Sequence, residues 1–419
     1  MTKQFLIMSL ICFVGVSVFA QDETKKIFNE FQLDSITYDV KNLPPGKFQS
    51  LTDQFYPNWE PHLGKGLLPL PKYYQWKQKL SSKGFDYLVI ITPEFQYGAL
   101  NGKWHGNSEQ DLIMNWRIAE NKNSYSKIMF WGANILRLTS TTPTQMSEEN
   151  GLTVETIGGA DAEVLWMIGT FYFEQALFQQ RLKLRAGHLF TNITLAINKY
   201  LIDDRETYIN EILNTPAGVQ WASQKSLGMQ VQYDGDLFYG ITGFQDQKSD
   251  PRYPSLSSFA DGKFVYYLEG GFTPNETTNH SGKYSVTLNY NTADEKGPEG
   301  YGIVINAQQD FSNNLGVYGR YGQSFKRFGT WDNAWAVGLA LNKPFGWDYD
   351  QISLAYLQGD PSNPSITKKD KGFSLYYKVL LTYRLDFTID TQYYFERSLA
   401  DTGDKGQAFL VAGRLRFML

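Results

Sequence analysis

Charged residues recur at alternate positions in the last third of the chain, within stretches that are otherwise apolar. One side of three successive stretches carries Lys378, Arg384, Asp390, Glu396, Arg414 and Arg416. Burying such groups in a dry core would cost several kcal/mol each. Charges of both signs on a wet surface can instead bind polar solutes and select ions by sign. The pattern therefore predicts a hydrated lining that selects solutes.

The same alternation extends this set to earlier stretches. The candidate lining or substrate-binding residues are at predicted inward-facing positions, which we call the inward phase, and each has a group that can donate or accept hydrogen bonds. They are Lys183, Arg185, Arg320, Lys378, Arg384, Asp390, Tyr394, Glu396, Arg414 and Arg416. The residues Glu94, Arg117, Glu163 and Glu269 have the same phase. Neutral sugars need paired donors and acceptors beside flat rings, such as those of Tyr318 and Tyr394. For any single charge, an ordinary solvated cross-strand pair is the alternative.

The opposite side of these stretches is apolar. In the last one, Phe409, Val411, Leu415 and Phe417 alternate with the polar side, as expected for a strand with period two. An apolar outer face and a polar inner face are typical of strands that cross a membrane as a closed barrel. A soluble sandwich would have the reverse arrangement. The fold class predicted is all-β, a transmembrane antiparallel β-barrel.

About sixteen strand-like stretches follow one another from residue 85 to the C-terminus. The predicted strands are 85–97, 109–119, 126–138, 162–175, 181–190, 226–233, 237–244, 264–272, 283–291, 301–310, 315–323, 334–342, 351–358, 372–384, 387–396 and 407–419. Long connections alternate with short ones, which is typical of barrels with loops at one end and tight turns at the other. The predicted long connections are 98–108, 139–161, 191–225, 245–263, 292–300, 324–333, 359–371 and 397–406. Thr273–Gly282 fits poorly, because it is long for a turn.

Which side chains face inward is unclear in two early stretches, 126–138 and 162–175. If Glu163 points inward, then Phe171 and Phe173 also point inward. Either a β-bulge or an aromatic patch in the lumen would explain this.

The first 84 residues differ from the rest. An apolar run from Phe5 to Phe19 ends in Val18-Phe19-Ala20, which predicts a signal peptide over 1–20. Residues 21–84 are proline-rich with little alternation, and we expect an irregular N-terminal periplasmic or plug segment with a short helix near 72–82. The domain 85–419 is then the outer-membrane barrel.

Composition narrows the function classes. Aromatic residues make up 16% of the chain, as expected for girdles at two membrane interfaces. The net charge of −4 argues against nucleic acid as a partner. The only cysteine is Cys12, inside the predicted signal peptide, so no disulfide or thiolate site is expected. Four scattered histidines and the lack of a nucleophile motif predict no catalytic residues, no metal site and no cofactor.

One local motif resembles a known family. The run Leu184-Arg185-Ala186-Gly187-His188-Leu189-Phe190-Thr191-Asn192, followed by Ser226-Leu227-Gly228-Met229, is similar to the carbohydrate-selective porins of Gram-negative outer membranes. The stretches Glu299–Gly302, Val337–Ala340 and Lys343–Gly346 and the closing strands are similar too. His188 stands where such proteins tend to carry a second basic residue. The C-terminal residue is Leu419 rather than Phe.

The resemblance implies a sixteen-stranded barrel in the cell outer membrane that passes small sugars by diffusion through a charged, narrowed lumen. Its partners would be outer-membrane lipid, small sugars as permeating solutes and a possible second copy in a homo-oligomer. A porin with another or broader solute preference is the alternative, and an outer-membrane barrel enzyme or adhesin is the alternative from another class. We further hypothesise that the loop 191–225 folds into the pore; a solvent-exposed cap is the other possibility.

Overall fold

The computed structural model describes Trp76, Lys77 and residues 79–419 except 203–204, 218–224, 248, 257–258, 275–279, 293–298, 326–328, 348, 383 and 401–405. The predicted signal peptide and most of the segment 21–84 therefore lie outside the described residues. Trp76, Lys77 and 79–81 are helical, within the stretch predicted as a short helix.

Sixteen antiparallel strands make up the described chain. They are β1 (Phe85–Gly98), β2 (Lys103–Glu120), β3 (Tyr125–Arg137), β4 (Val164–Leu177), β5 (Leu182–Phe190), β6 (Lys225–Asp234), β7 (Phe238–Asp246), β8 (Phe264–Phe272), β9 (Gly282–Asn291), β10 (Gly300–Asp310), β11 (Leu315–Phe325), β12 (Trp331–Asn342), β13 (Gln351–Pro361), β14 (Asp370–Thr382), β15 (Leu385–Glu396) and β16 (Ala408–Met418). The short helices are α1 (Pro143–Glu149), α2 (Glu211–Asn214) and the 3-10 turns Thr191–Ile193 and Phe259–Asp261. No helix among the described residues is long and apolar enough to span a membrane.

The sheet closes on itself. Each strand pairs with its neighbours in sequence, and β1 pairs with β16 in the register Ile90↔Met418 and Glu94↔Arg414. Closure leaves no sheet edge, so every strand has two partners for its backbone hydrogen bonds. The prediction of an antiparallel barrel of about sixteen strands is confirmed.

Side chains alternate between the two faces as predicted. In β16, Leu410, Ala412 and Arg414 are at most 2% exposed, whereas Phe409 between such positions is 44% exposed. In β9, Tyr284 and Tyr290 bracket Val286 and Leu288 on the outer face, as expected for a membrane-facing band between two girdles. The outer face is apolar and the inner face carries the polar groups.

One predicted connection is wrong. The stretch 98–108 contains only a four-residue connection, 99–102, because β2 begins at Lys103. The start of β2 lacks the apolar alternation that marks the other strands, because its outward residues Gly106, Ser108 and Gln110 are not apolar side chains. Asn107 donates to Glu94 at 2.8 Å, and His105 lies 2.6 Å from the carbonyl oxygen of Thr141. The long connection between β8 and β9 remains, at the end of the barrel that has the short turns.

A bulge in β4 explains the unclear phase. Trp131 of β3 pairs with Thr170 and Gly132 pairs with Ile168, so Gly169 is an extra residue in β4. A Cβ atom on Gly169 would lie 2.1 Å from the Trp131 ring, so the glycine makes room for the indole. Beyond the bulge Phe171 and Phe173 are exposed on the outer face. The bulge, and not an aromatic patch in the lumen, is therefore correct.

The hydrophobic core lies inside the barrel and is built largely from two connections. The loops between β3 and β4 (138–163) and between β5 and β6 (191–217 in its described part) fold inward. Their apolar residues pack against inward-facing wall residues in one cluster that includes Met146, Leu152, Val154, Tyr200, Leu201, Tyr208, Ile212 and Leu213 from the loops and Tyr318, Trp331, Tyr376, Tyr394 and Leu410 from the wall. The hypothesis that the loop 191–225 enters the barrel is thus correct for its described part.

The two faces should respond differently to added charge. We expect Val286→Arg, on the outer face of β9 between the two tyrosines, to lower the free energy of unfolding in a bilayer by about 2 to 4 kcal/mol. The matched substitution Gln232→Arg, on the inner face of β6, should cost less than about 1 kcal/mol because a wet lumen solvates the guanidinium. Urea titration of the refolded barrel in lipid measures both. Equal losses at the two positions would contradict the assignment of faces.

Candidate functional site: a narrowed lumen

The second inward loop is attached along one half of the inner wall. The backbone N–H of Ala196 donates to Glu269 of β8 at 2.6 Å, and the Asn198 side chain donates to Asn306 of β10 at 2.9 Å. Further along, Asn210 donates to Gln392 of β15 at 3.0 Å. The loop therefore follows the wall from β8 to β15 and covers that half of the lumen.

Tyrosines and one arginine hold this loop from the wall side. The Tyr208 hydroxyl donates to Ser353 at 2.9 Å, and the Tyr200 and Tyr318 rings stack at 5.0 Å. The buried guanidinium of Arg320 donates to the carbonyl oxygens of Leu201 at 3.3 Å and Leu213 at 2.6 Å. Arg320 thus ties together two parts of the loop.

The tip of the loop crosses to the opposite wall. Arg205 Nη1 lies 2.9 Å from both Glu109 Oε1 and Asp111 Oδ1 on β2. β2 is eight strands from β10 around the ring of sixteen. The neighbouring Glu206 pairs with Arg416 of β16 at 2.9 Å. This crossing divides the lumen into a filled side and an open side.

The first inward loop fills the region beside β1 and β14 to β16. One carboxylate oxygen of Asp370 accepts the N–H of Thr153 at 3.0 Å and that of Val154 at 3.1 Å. Thr156 is held from two strands, since its hydroxyl donates to Gln96 at 2.7 Å and its carbonyl oxygen accepts from Gln392 at 2.7 Å. These bonds satisfy the polar backbone of a loop that water would otherwise have to solvate.

An aspartate organises the outer part of that loop. Partial burial alone would raise the pKa of Asp161, but hydrogen bonds from Thr144 and Thr142 hold this pKa below its usual range. The Thr144 hydroxyl donates to the carboxylate at 2.8 Å. Asp161 is therefore a stable hydrogen-bond acceptor for Thr142 and Thr144 at the start of α1.

The open side has a cluster of charged and polar side chains on four adjacent strands, β3 to β6. Glu174 of β4 accepts from Arg185 Nε of β5 at 2.5 Å and lies 3.1 Å from Lys127 Nζ of β3. The Tyr125 hydroxyl also donates to Glu174 at 2.5 Å, and Arg185 Nη1 donates to Gln230 at 2.5 Å. Two cations share one carboxylate, so this wall has an excess of positive charge. We call these five residues the wall cluster.

Exposure separates the residues that can meet a solute from those that cannot. On the open side the side chains of Lys183, Lys127 and Arg185 are 25%, 14% and 11% exposed. Under the loops Asp390 and Arg414 are completely buried. Residues with the same inward phase thus differ in access because the loops cover only one half of the wall.

The predicted lining residues divide into three groups. Lys183 and Arg185 are on the open side. Six lie beneath or against the second loop and its neighbours: Arg320, Lys378, Asp390, Tyr394, Arg414 and Arg416. The remaining two lie at the barrel ends, Arg384 between β14 and β15 and Glu396 at the other end of β15, where it pairs with Lys371 at 2.7 Å.

Several site residues were not singled out from the sequence. Glu174 lies beyond the bulge at Gly169 in β4, and a bulge allowed at that point would have placed it inward; Lys127 lies in β3, whose inward face the sequence left unclear. Arg205, Glu206 and Asp370 had no such signal, because loop packing has no sequence period. The aromatic candidate Tyr318 is buried beneath the loop, hydrogen-bonded to Ser353 at 2.8 Å.

The arrangement suits selection of polar solutes. The passage beside the wall cluster offers the partly exposed donors of Lys127, Lys183 and Arg185, the Asp234 carboxylate that pairs with Lys183 and is 34% exposed, and the Tyr172 ring 6.0 Å from the Arg185 guanidinium. Such a mixture matches the donor and acceptor pattern of a polyhydroxylated molecule. In the part of the chain that the structure describes, no three His, Cys, Asp or Glu residues are grouped to hold a metal ion.

Solved structures share this fold. OprB of Pseudomonas putida at high pH superposes with a TM-score of 0.66 and 15% identity, covering 86% of this chain and 99% of that one. The low-pH structure of OprB gives 0.55 and 14%, covering 85% and 99%. A double mutant of the Rh. blastica porin gives 0.51 and 10%, covering 80% of this chain and 100% of that one. No family model matches the sequence, and no curated protein matches it.

Removing the Arg320 guanidinium should loosen the second loop. We expect Arg320→Gln to cost about 2 to 3 kcal/mol, because two buried carbonyl oxygens lose charged donors. Single-channel recordings should show larger and noisier current steps than the unsubstituted barrel. The control Arg181→Gln removes an exposed arginine from the turn between β4 and β5, where Arg181 pairs with Asp236, and should leave the current unchanged. Identical, quiet steps from both variants would show that Arg320 does not hold the constriction.

Proposed function

We propose that this chain is a passive outer-membrane porin that conducts small polar solutes, preferentially carbohydrates. The observation that carries the proposal is the loop that crosses the lumen from β10 to β2, because it leaves an opening bordered by the wall cluster. A barrel with an apolar outer face and a charged, partly open interior conducts by diffusion. The likeness to porin folds supports the same role.

The preference for carbohydrates is supported by the residues at the opening. Arg185, Lys127 and Lys183 present donors and Asp234 presents an acceptor, whereas the buried Glu174 and Gln230 behind them hold the Arg185 guanidinium in place. The sequence around Arg185 also resembles that of carbohydrate-selective porins. A neutral solute gains from both signs of charge, whereas an anion would gain only from the cations.

Residues on the filled side have a different role in this proposal. Arg320, Asp390, Tyr394, Arg414 and Arg416 position the loops that set the width of the opening, and Lys183 and Arg185 face the solute. Outer-membrane lipid surrounds the barrel. The proposed transport is driven by the solute gradient, with no chemical step and no cofactor.

Single-channel conductance of the refolded chain in a planar bilayer tests the proposal. We expect discrete current steps that mono- or disaccharides block in a concentration-dependent way. Steps that sugars do not alter would retain the pore and reject the carbohydrate preference. A folded barrel without steps would reject the pore itself.

The wall cluster can be tested by substituting its arginine. Arg185→Gln should weaken the block by sugar about tenfold, since it removes charged hydrogen bonds at the opening. The reversal potential in a salt gradient should shift toward cation selectivity, because the wall loses a positive charge. Arg117→Gln is the matched control, since Arg117 is also inward-facing and 17% exposed but pairs with Glu120 near the short-turn end of β2. A control that changes the block as much as Arg185→Gln would argue against a localised site.

A further inference from the structure

A hollow of about 540 Å³ lies at the rim of the barrel, where β2 begins. Its lining comes from three elements: Lys103 and Trp104 of β2, residues 139–141 of the connection after β3, and Gln145 of α1. This end of the barrel carries the long connections, which lie on the extracellular side in outer-membrane barrels. We call the space bordered by these six residues the rim hollow.

The segment 139–141 is held against β2 by hydrogen bonds. The Thr139 hydroxyl accepts the backbone N–H of Gly106 at 3.0 Å and donates to the carbonyl oxygen of Thr141 at 3.2 Å. The same carbonyl oxygen lies 2.6 Å from Nδ1 of the buried His105. This side of the rim hollow is thus preorganised, which reduces the entropy that binding would cost.

Two polar side chains of the rim hollow have hydrogen-bonding capacity to spare. Gln145 uses its carbonyl oxygen to accept the N–H of Thr142 at 3.1 Å. Ser140 and Gln145 are exposed, and among the described residues no group accepts a hydrogen bond from the Ser140 hydroxyl or from the Gln145 amide nitrogen. Both groups can therefore donate to a ligand.

Trp104 supplies a flat apolar surface beside these groups. Its side chain is 57% exposed, and its ring centroid lies 5.0 Å from that of Tyr97 on β1. An exposed tryptophan is also typical of the aromatic girdle at a barrel end, as Trp116 at the other end of β2 shows with 51% exposure. A girdle does not require the hollow and the spare polar groups that lie beside Trp104.

The charge of the rim hollow is balanced. Lys103 Nζ lies 2.6 Å from Glu149 Oε1, and the two side chains are 51% and 35% exposed. Because the carboxylate offsets the ammonium charge, the hollow favours a neutral ligand over a phosphate.

We propose that the rim hollow binds a neutral saccharide, with one face of a sugar ring on the Trp104 indole and its hydroxyl groups on Ser140 and Gln145. A pyranose has an apolar face of C–H groups and a rim of hydroxyl groups, and an indole beside hydroxyl and amide groups complements both. Such a ring reaches the extracellular end either as dissolved sugar or as the headgroup of a glycolipid in the outer leaflet.

The rim hollow is separate from the wall cluster. Arg137, at the rim end of β3, comes ten residues after Lys127, which corresponds to roughly 25 Å along the barrel axis for a rise of about 3.3 Å per residue and a tilt of about 40°. A sugar in the rim hollow therefore leaves the passage beside the wall cluster open. The proposal rests on the proposed function only for the membrane orientation that makes this end extracellular.

Saturation-transfer NMR with glucose and the refolded full chain tests the site. In an Arg185→Gln background, which weakens the wall cluster, we expect glucose binding to persist and Trp104→Ala to weaken it about fivefold. Trp104→Phe, which keeps a flat ring, should retain most of the binding, and the matched control Trp116→Ala should change nothing. Ser140→Ala, at an exposed position outside the strands, should weaken binding about twofold and does not depend on how Trp104→Ala folds.

Three results would overturn the proposal: equal glucose binding by Trp104→Ala and Trp116→Ala, binding that Ser140→Ala leaves unchanged, or loss of all glucose binding in Arg185→Gln alone. Conductance of the unsubstituted chain separates the two proposals. Sugar-blocked steps without any effect of Trp104 on binding reject the rim hollow alone, whereas a silent barrel rejects the pore.

Phospholipid vesicles with and without lipopolysaccharide separate the two sources of the sugar ring. If a glycolipid headgroup fills the rim hollow, lipopolysaccharide should abolish the part of glucose binding that depends on Trp104. Trp104→Ala should then retain less lipopolysaccharide through detergent extraction than Trp116→Ala does. Glucose binding that lipopolysaccharide leaves unchanged assigns the site to dissolved sugar.

Discussion

The backbone hydrogen bonds between β1 and β16 are the interaction on which the rest of this structure depends. In lipid an unpaired N–H or carbonyl group has no water to bind, and each costs several kcal/mol. The β1–β16 pairing, seen at Glu94↔Arg414, removes the last sheet edge. Once the ring is closed, one face of every strand points outward to lipid and the other faces an enclosed space. The apolar outer face and polar inner face follow from this closure.

The space enclosed by a ring of sixteen strands is too large for wall side chains to fill. Two connections fill about half of it, and they bring polar backbone with them. The wall supplies the partners for this backbone, as Asp370 does for Thr153 and Val154, and Glu269 for Ala196. Much of the charge inside the barrel therefore serves to hold loops. Only the charges that the loops leave uncovered are accessible to a solute.

The bond network also explains why the loop 191–217 can act as a rigid partition. It is anchored on β8, β10 and β15 and, through Arg205, on β2. Anchors on opposite walls prevent the loop from swinging out as one flap. Ion pairs such as that of Arg205 with Asp111 are shielded from bulk water, so salt screens them less than it screens surface pairs. The opening thus has a defined width and a defined charge.

Several features were determined by the sequence alone. Alternation of apolar and polar residues is a local property, so it predicted the sixteen strands, the polar interior and the inward and outward faces of all strands but β3 and β4. The prediction is wrong where the local pattern is weak: the start of β2 has Gly106, Ser108 and Gln110 in place of apolar outward residues, and its sequence predicts a loop. The bulge at Gly169 was one of two explanations that the sequence left open.

The tertiary structure alone decided which inward charges face the passage. Arg185 and Arg320 have the same residue type and the same phase, and nothing in their strands distinguishes them. Closure of the ring places β10 opposite β2, and the loop that spans this distance covers Arg320 and leaves Arg185 exposed. Contacts between residues more than a hundred positions apart have no period in the sequence. For this physical reason the strands could be predicted and an inward loop hypothesised from the sequence, but the charges that line the constriction could not be identified.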